Sequence, residues 1–196
     1  MPRLAANLST MFGEVSDEFQ IGVERAIAHA NTLGCDRVNC LAGIRPPSVD
    51  AATARATLLR NLAYAAPRLR AAGITLLIEP INTRDVPGFF LSGTDQALEI
   101  VSAAGSDNVR LQYDIYHMQI MEDTLGPTIE RVLPHIGHIQ LADWPGRHEP
   151  GTGNIDFPVL LDLIDRVGYT GWIGCEYFPE TTTAAGLGWA RTYLGR

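Results

Sequence analysis

Hydrophobic positions along this chain fall into two alternating rhythms: short β-rich runs and longer stretches with a helical period. In DEFQIGVERAIAHANTLG, the residues Phe19, Val23, Ala26, Ile27 and Ala30 share one helical face, with Asp17 expected as the cap and Gly34 as the stop. DRVNCLAG then reads as a strand, and Pro46 and Pro47 mark the loop beyond it. The pattern repeats. A helix over 50–72, rich in Ala, Leu and Arg, ends at Gly73 before strand ITLLIE; Thr94 is expected to cap helix DQALEIVSAAG, and strand VRLQYD follows. A helix near 124–134, strand IGHIQLAD, the Gly/Pro-rich loop WPGRHEPGTG, a helix over 156–167, strand GWIGCEY and a last helix near 183–194 complete the chain. With residues 3–7 (RLAAN) as a first strand, six strands are expected.

Regular alternation of strand and helix predicts an α/β fold with a parallel sheet and helical crossovers. The strand cores LLIE and IGCE are nearly continuous in apolar residues, as expected when helices cover one face and a barrel interior or second layer covers the other. No linker, low-complexity tract or shift of composition divides the sequence, so residues 1–196 are expected to form a single domain.

Composition narrows the function classes. The chain has 196 residues, 46% of them hydrophobic and 19% charged, which suits one globular domain with a sizeable core. No apolar stretch approaches the ~18 residues of a membrane span, and MPRLAANLSTMF, broken by Asn7, Ser9 and Thr10, is a poor signal peptide. Cys35, Cys40 and Cys175 are odd in number and lack CxxC spacing, so reduced thiols in a cytoplasmic protein are expected. A net charge of −7 without any basic run argues against nucleic acid as a partner.

Four expected strands end on an oxygen-bearing side chain: Glu79 in LLIEP, Asp114 in LQYDIYH, Gln140 in HIQLAD and Glu176 in GCEYFP. Their separations of 35, 26 and 36 residues are each about one strand–helix unit. In a barrel that spacing puts one such side chain at the C-terminal end of each of four successive strands, where barrels hold their active sites. Carboxylates converging there would repel one another without a cation, and oxygen ligands favour Mg²⁺ or Mn²⁺ over zinc. Taken singly, an acidic residue after a strand is more often a helix cap or a solvated loop residue. His138, two residues before Gln140, shares its strand face and suits either a support for Gln140 or a core histidine. Asp143 could steer Arg147 or cap its loop, and EPGTG has the look of a phosphate-cradling turn but lacks a Lys and a full Gly pattern.

The segments AANLSTMFGE, RVNCLAG, LLIEPINTRDVPGFFL, QYDIYHMQIMED, GHIQLADWPGRHEPGTGNIDF and GWIGCEYFP closely resemble hydroxypyruvate isomerases of the xylose-isomerase-like barrel superfamily. The resemblance covers nearly the whole chain. It implies a (β/α) TIM-barrel-like fold and a metal-dependent isomerase converting hydroxypyruvate to 2-hydroxy-3-oxopropanoate through an enediolate. It further implies Glu79, Asp114, Gln140 and Glu176 as ligands of one Mg²⁺ or Mn²⁺, and Glu79 and Glu176 as the acid/base pair. His117, in a D-x-x-H element, and Arg147 match substrate-binding positions, and a small hydroxy or keto acid is the implied partner.

One departure from the resemblance stands out. Between Glu14 and Phe19 the chain passes almost directly from the first family strand to the helix before the fourth, omitting roughly 60 residues, about two of the eight units of such a barrel. A truncated barrel of about six strands, incomplete near residues 14–19, is therefore expected, either imperfectly closed or open as a curved sheet whose free edges favour a homo-oligomer. Alternative expectations are an isomerase or epimerase of a longer keto acid or ketose such as 2-oxotetronate, an inactive metal-binding remnant, and a related nuclease of abasic DNA. The last would need a His-rich multi-metal site and a basic surface.

Overall fold

A computed structural model describes residues 17–122 and 124–193, so the expected first strand at residues 3–7 and residues 14–16 of the junction at 14–19 lie outside the described residues. The chain divides into two compact units, Met1–Gln112 and Tyr113–Arg196.

In the first unit, helix α1 (Asp17–Leu33) buries Phe19, Val23, Ala26 and Ala30, the face its periodicity predicts. It packs on α2 (Ala51–Ala71), with the rings of Phe19 and Tyr64 meeting edge-on at 6.2 Å. Asp17 lies inside the first turn of α1 rather than ahead of it, where its charge, with that of Glu18, meets the positive end of the helix dipole. Gly34 and Gly73 close α1 and α2 in the same way. Each adopts a positive φ, 62° and 72°, which lets Cys35 N–H donate to Ala30 O and Ile74 N–H to Leu69 O.

Strands β1 (Arg37–Asn39), β2 (Thr75–Ile78) and β3 (Val109–Asp114) run parallel, with Asn39 opposite Leu77 and Ile78 opposite Leu111. Leu76, Leu77 and Ile78 are all buried, the signature of a strand covered on both faces. Helix α3 (Thr94–Ala103) corrects one expectation. Gly93, not Thr94, is its N-cap and supplies no side chain; Gln96 serves the helix entrance instead, accepting from Ser92 N–H at 3.1 Å and donating to Phe90 O at 3.0 Å.

The second unit begins inside β3. A helix that the sequence pattern did not suggest, α4 (Ile115–Met121), leaves the strand directly and packs on β4 (Ile136–Leu141). Next in chain order come α5 (Leu125–Val132), α6 (Phe157–Arg166), β5 (Ile173–Cys175) and α7 (Thr183–Gly186). β4 and β5 are parallel, with Gln140 opposite Gly174 and Leu141 opposite Cys175. The expected last helix is shorter than predicted: α7 stops at Gly186, and a 3₁₀ turn, Gly188–Thr192, follows. Five strands lie among the described residues, and no described helix is long and apolar enough to cross a membrane.

Candidate active site

Each expected strand-end residue sits where the register predicts. Glu79 follows β2 immediately, Asp114 ends β3, Gln140 is the last but one residue of β4, and Glu176 follows β5 with its N–H bonded to Leu141 O.

Glu79 is only 4% exposed, and its Oε2 accepts two amide hydrogen bonds, from Asn39 Nδ2 at 2.5 Å and Gln112 Nε2 at 2.8 Å. The register explains this clamp. Asn39 leaves β1 and Gln112 leaves β3, so the strands on either side of β2 each supply one donor to the carboxylate between them. Neither amide was singled out from the sequence, although Gln112 lies two residues before Asp114 and strand alternation gives both the same face.

In the second unit Asp114 is 1% exposed and does two things. Its Oδ1 caps α4 by accepting from Tyr116 N–H at 2.8 Å and His117 N–H at 3.4 Å, while its Oδ2 lies 3.7 Å from His117 Nε2. Burial pushes its carboxyl up from 3.8 to about 6; Arg147 and the two capping N–H groups pull the other way. The helix-cap reading of an acidic residue after a strand is therefore correct for Oδ1, and it leaves a second oxygen beside the imidazole.

Glu176 carries a side chain 55% exposed and pairs with Arg147, Nη2 to Oε2 at 3.3 Å. The burial it does have raises its carboxyl above the ordinary range, Arg147 opposes this, and Asp114 adds to it. Arg147 itself has a φ of 56°, uncommon outside glycine, and its guanidinium lies 5.1 Å from the centre of the Tyr116 ring. Gln140 flanks Gly174 together with His138: a methyl group on Gly174 would lie 2.9 Å from His138 Nε2 and 3.3 Å from Gln140 Cγ. His138 and Gln140 thus share a face, as strand alternation predicts.

Asp143 resolves as the organiser of the loop after β4. Its carboxylate accepts from the backbone N–H groups of Trp144, Gly151, Gly153 and Ile155. Two of these donors belong to EPGTG, so those amides are spent inside the protein instead of facing a phosphate. Phe178 is 68% exposed; Trp189 is half-buried and donates to Tyr177 Oη at 3.2 Å.

Glu79 in the first unit, and Asp114 and His117 in the second, are buried side chains that each offer an atom able to bind a metal ion.

Parallel strands in chain order, helical crossovers and polar side chains at the C-terminal strand ends define a TIM-barrel-like α/β protein. The Xylose isomerase-like TIM barrel family matches residues 4–193, and the chain belongs to that family. It is 46% identical to the 2-oxo-tetronate isomerase of Cupriavidus necator, over 96% of this chain and 72% of that protein. It is 49% identical to the hydroxypyruvate isomerase of Escherichia coli K12, over 90% of this chain and 69% of that one. Among solved structures it is similar to a crystal structure described as an AP endonuclease, family 2, from Brucella melitensis, with a TM-score of 0.90 and 36% identity over 94% of this chain and 72% of the other.

Proposed function

We propose that this protein is a metal-dependent isomerase of short 2-oxo acids that converts hydroxypyruvate to 2-hydroxy-3-oxopropanoate through an enediolate. The names of two similar relatives, a hydroxypyruvate isomerase and a 2-oxo-tetronate isomerase, support the reaction class. The observation that carries the reading is the burial of two carboxylates, Glu79 and Asp114, at the C-terminal ends of β2 and β3, two paired parallel strands. Buried carboxylates are costly unless a cation offsets them.

In this reading Glu79, Asp114, Gln140 and Glu176 hold one Mg²⁺ or Mn²⁺, with the His117 ring close to Asp114. When bound, such a cation would supply Lewis-acid stabilisation of the negative charge that develops on the substrate. The remaining work belongs to side chains. Arg147 holds the substrate carboxylate with its planar fork of donors. One of Glu79 and Glu176 removes a proton from C3, and the other returns one to C2, while the C3 hydroxyl proton passes to the C2 oxygen. The product is an isomer of the substrate, so no further reactant is required. His117 donates to a substrate oxygen. Burial raises the Glu176 carboxyl above its ordinary range, the direction that favours a group able to hold a proton and return it. Free Cys35, Cys40 and Cys175 accord with a reducing compartment, and the cytoplasm is the proposed location.

The test is turnover of hydroxypyruvate with and without Mg²⁺ or Mn²⁺, with Glu79→Gln as control. Metal-dependent conversion lost in the variant supports the reading; a folded, metal-binding protein without turnover rejects it. A second substrate, 2-oxotetronate, is favoured by the 46% identical relative and belongs in the same assay. Action on abasic DNA, suggested by the name of the Brucella structure, is opposed by the chain's net charge of −7, since phosphate backbones are bound by clustered Lys and Arg.

A further inference from the structure

We infer that Asp143 is the positioning residue for Arg147: its buried carboxylate folds the loop 144–155 so that the guanidinium stands ready for the carboxylate of a 2-oxo acid. The inference deepens the reading above and rests on it for the substrate, though not for the geometry.

Asp143 is 0% exposed and spends every polar atom on this loop. Oδ1 accepts from Trp144 N–H at 2.8 Å and Ile155 N–H at 3.1 Å; Oδ2 accepts from Gly151 N–H at 2.8 Å and Gly153 N–H at 2.9 Å. Its own N–H donates to His148 O at 2.8 Å, and its carbonyl accepts from Arg147 N–H at 3.0 Å. Arg147 is therefore held in its left-handed backbone conformation by bonds that start at Asp143 on either side of it. Four convergent N–H groups need an acceptor with two oxygens, which a carboxylate alone among side chains provides.

The far side of the loop is fastened to the segment after β5. Phe178 N–H donates to Arg147 O at 2.9 Å, His148 Nδ1 lies 2.7 Å from Phe178 O, and Glu180 N–H donates to Glu149 Oε2 at 2.9 Å. These bonds fix Arg147 against the segment that carries Glu176, its ion-pair partner. A loop so tied presents the guanidinium with little left to order when an anion arrives. Asp143 makes no contact with the reacting atoms in this scheme; it acts through Arg147.

Asp143→Asn is the direct test, because it keeps shape while turning one acceptor into a donor that must face two backbone N–H groups. Two measurements are made on each protein: the rate of tryptic cleavage after Arg147, read by mass spectrometry, and kcat and KM for hydroxypyruvate on the metal-loaded enzyme. The expected result is faster cleavage at that bond and a KM raised about 10- to 100-fold with a smaller change in kcat. In an Arg147→Ala background, Asp143→Asn is expected to add almost nothing to KM, since both changes remove the same contact. Unchanged cleavage overturns the inference, and so does a KM effect that persists in full without Arg147. Should the wild-type enzyme fail to turn over hydroxypyruvate, the functional reading fails on its own, and cleavage still decides whether Asp143 holds Arg147. Gly153→Ala serves if Asp143→Asn does not fold. Its added methyl would lie 2.6 Å from Asp143 Oδ1 and 2.3 Å from Trp144 O, crowding the same bonds from outside, and a rise in cleavage and KM is expected there too.

Discussion

Asn39 donates its side-chain amide to Oε2 of Glu79 across 2.5 Å, linking the end of β1 to the carboxylate that follows β2. Gln112 reaches the same oxygen from β3, so Glu79 is steered by both neighbouring strands. As the proposed metal ligand, a carboxylate held in this way keeps one orientation, and the affinity for the cation depends on the residues that hold it. Asn39→Ala and Gln112→Leu are each expected to weaken Mn²⁺ binding about 10- to 100-fold while the fold persists. Calorimetric titration with Mn²⁺, alongside circular dichroism, checks this; undiminished affinity in both variants would remove Glu79 from the proposed ligand set.

Asp114 gives the metal-free protein a pH dependence of definite sign. Burial raises its carboxyl from 3.8 to about 6, so between these values the native chain holds a proton that the unfolded chain has already lost. Its contribution to stability is complete below pH 3.8 and is lost as pH rises through about 6. Urea denaturation of metal-free protein is therefore expected to show a lower midpoint at pH 7 than at pH 5. Asp114→Asn should flatten that difference, and Mn²⁺ should reverse it for the wild type.

Arg147→Ala should raise KM for hydroxypyruvate about 10- to 100-fold, the worth of a charge-assisted hydrogen bond to a carboxylate. Arg147→Lys should recover little, because an ammonium offers no planar fork. Steady-state kinetics on the metal-loaded enzyme decides, and an unchanged KM in both variants would assign the substrate carboxylate to another group.

Gly174 lies against His138 and Gln140 on the neighbouring strand. Gly174→Ala brings a methyl group to 2.9 Å from the imidazole and 3.3 Å from Gln140 Cγ, so one of them must move. A loss of about 1–3 kcal/mol is expected, together with weaker Mn²⁺ binding if Gln140 is a ligand. Thermal unfolding with and without Mn²⁺ separates the two effects: equal losses in both conditions would mean that Gln140 does not touch the cation.

Much of this architecture could be read from residue order because its causes are local. The buried stripe of α1 follows from the spacing of Phe19, Val23, Ala26 and Ala30, and Gly34 and Gly73 end their helices because a positive φ suits a residue without Cβ. Apolar runs closed by Glu79 and Glu176 put those carboxylates at strand ends by the same logic. Thr94 shows where local reasoning stops. A good capping residue is in hand, yet the helix starts one position earlier, and Gln96 satisfies the entrance. Several geometries satisfy the same backbone groups, and packing selects among them.

What residue order determined by itself is therefore the alternation of strands and helices, the strand-end positions of Glu79, Asp114, Gln140 and Glu176, and the shared face of His138 and Gln140. These depend on periodicity within one element. Tertiary structure alone decided that Asn39 and Gln112 clamp Glu79, that Asp114 caps α4 with one oxygen, and that Asp143 gathers four amides to hold Arg147 beside Glu176. Those relations join residues brought together by strand register and loop closure, for which no period along the chain exists.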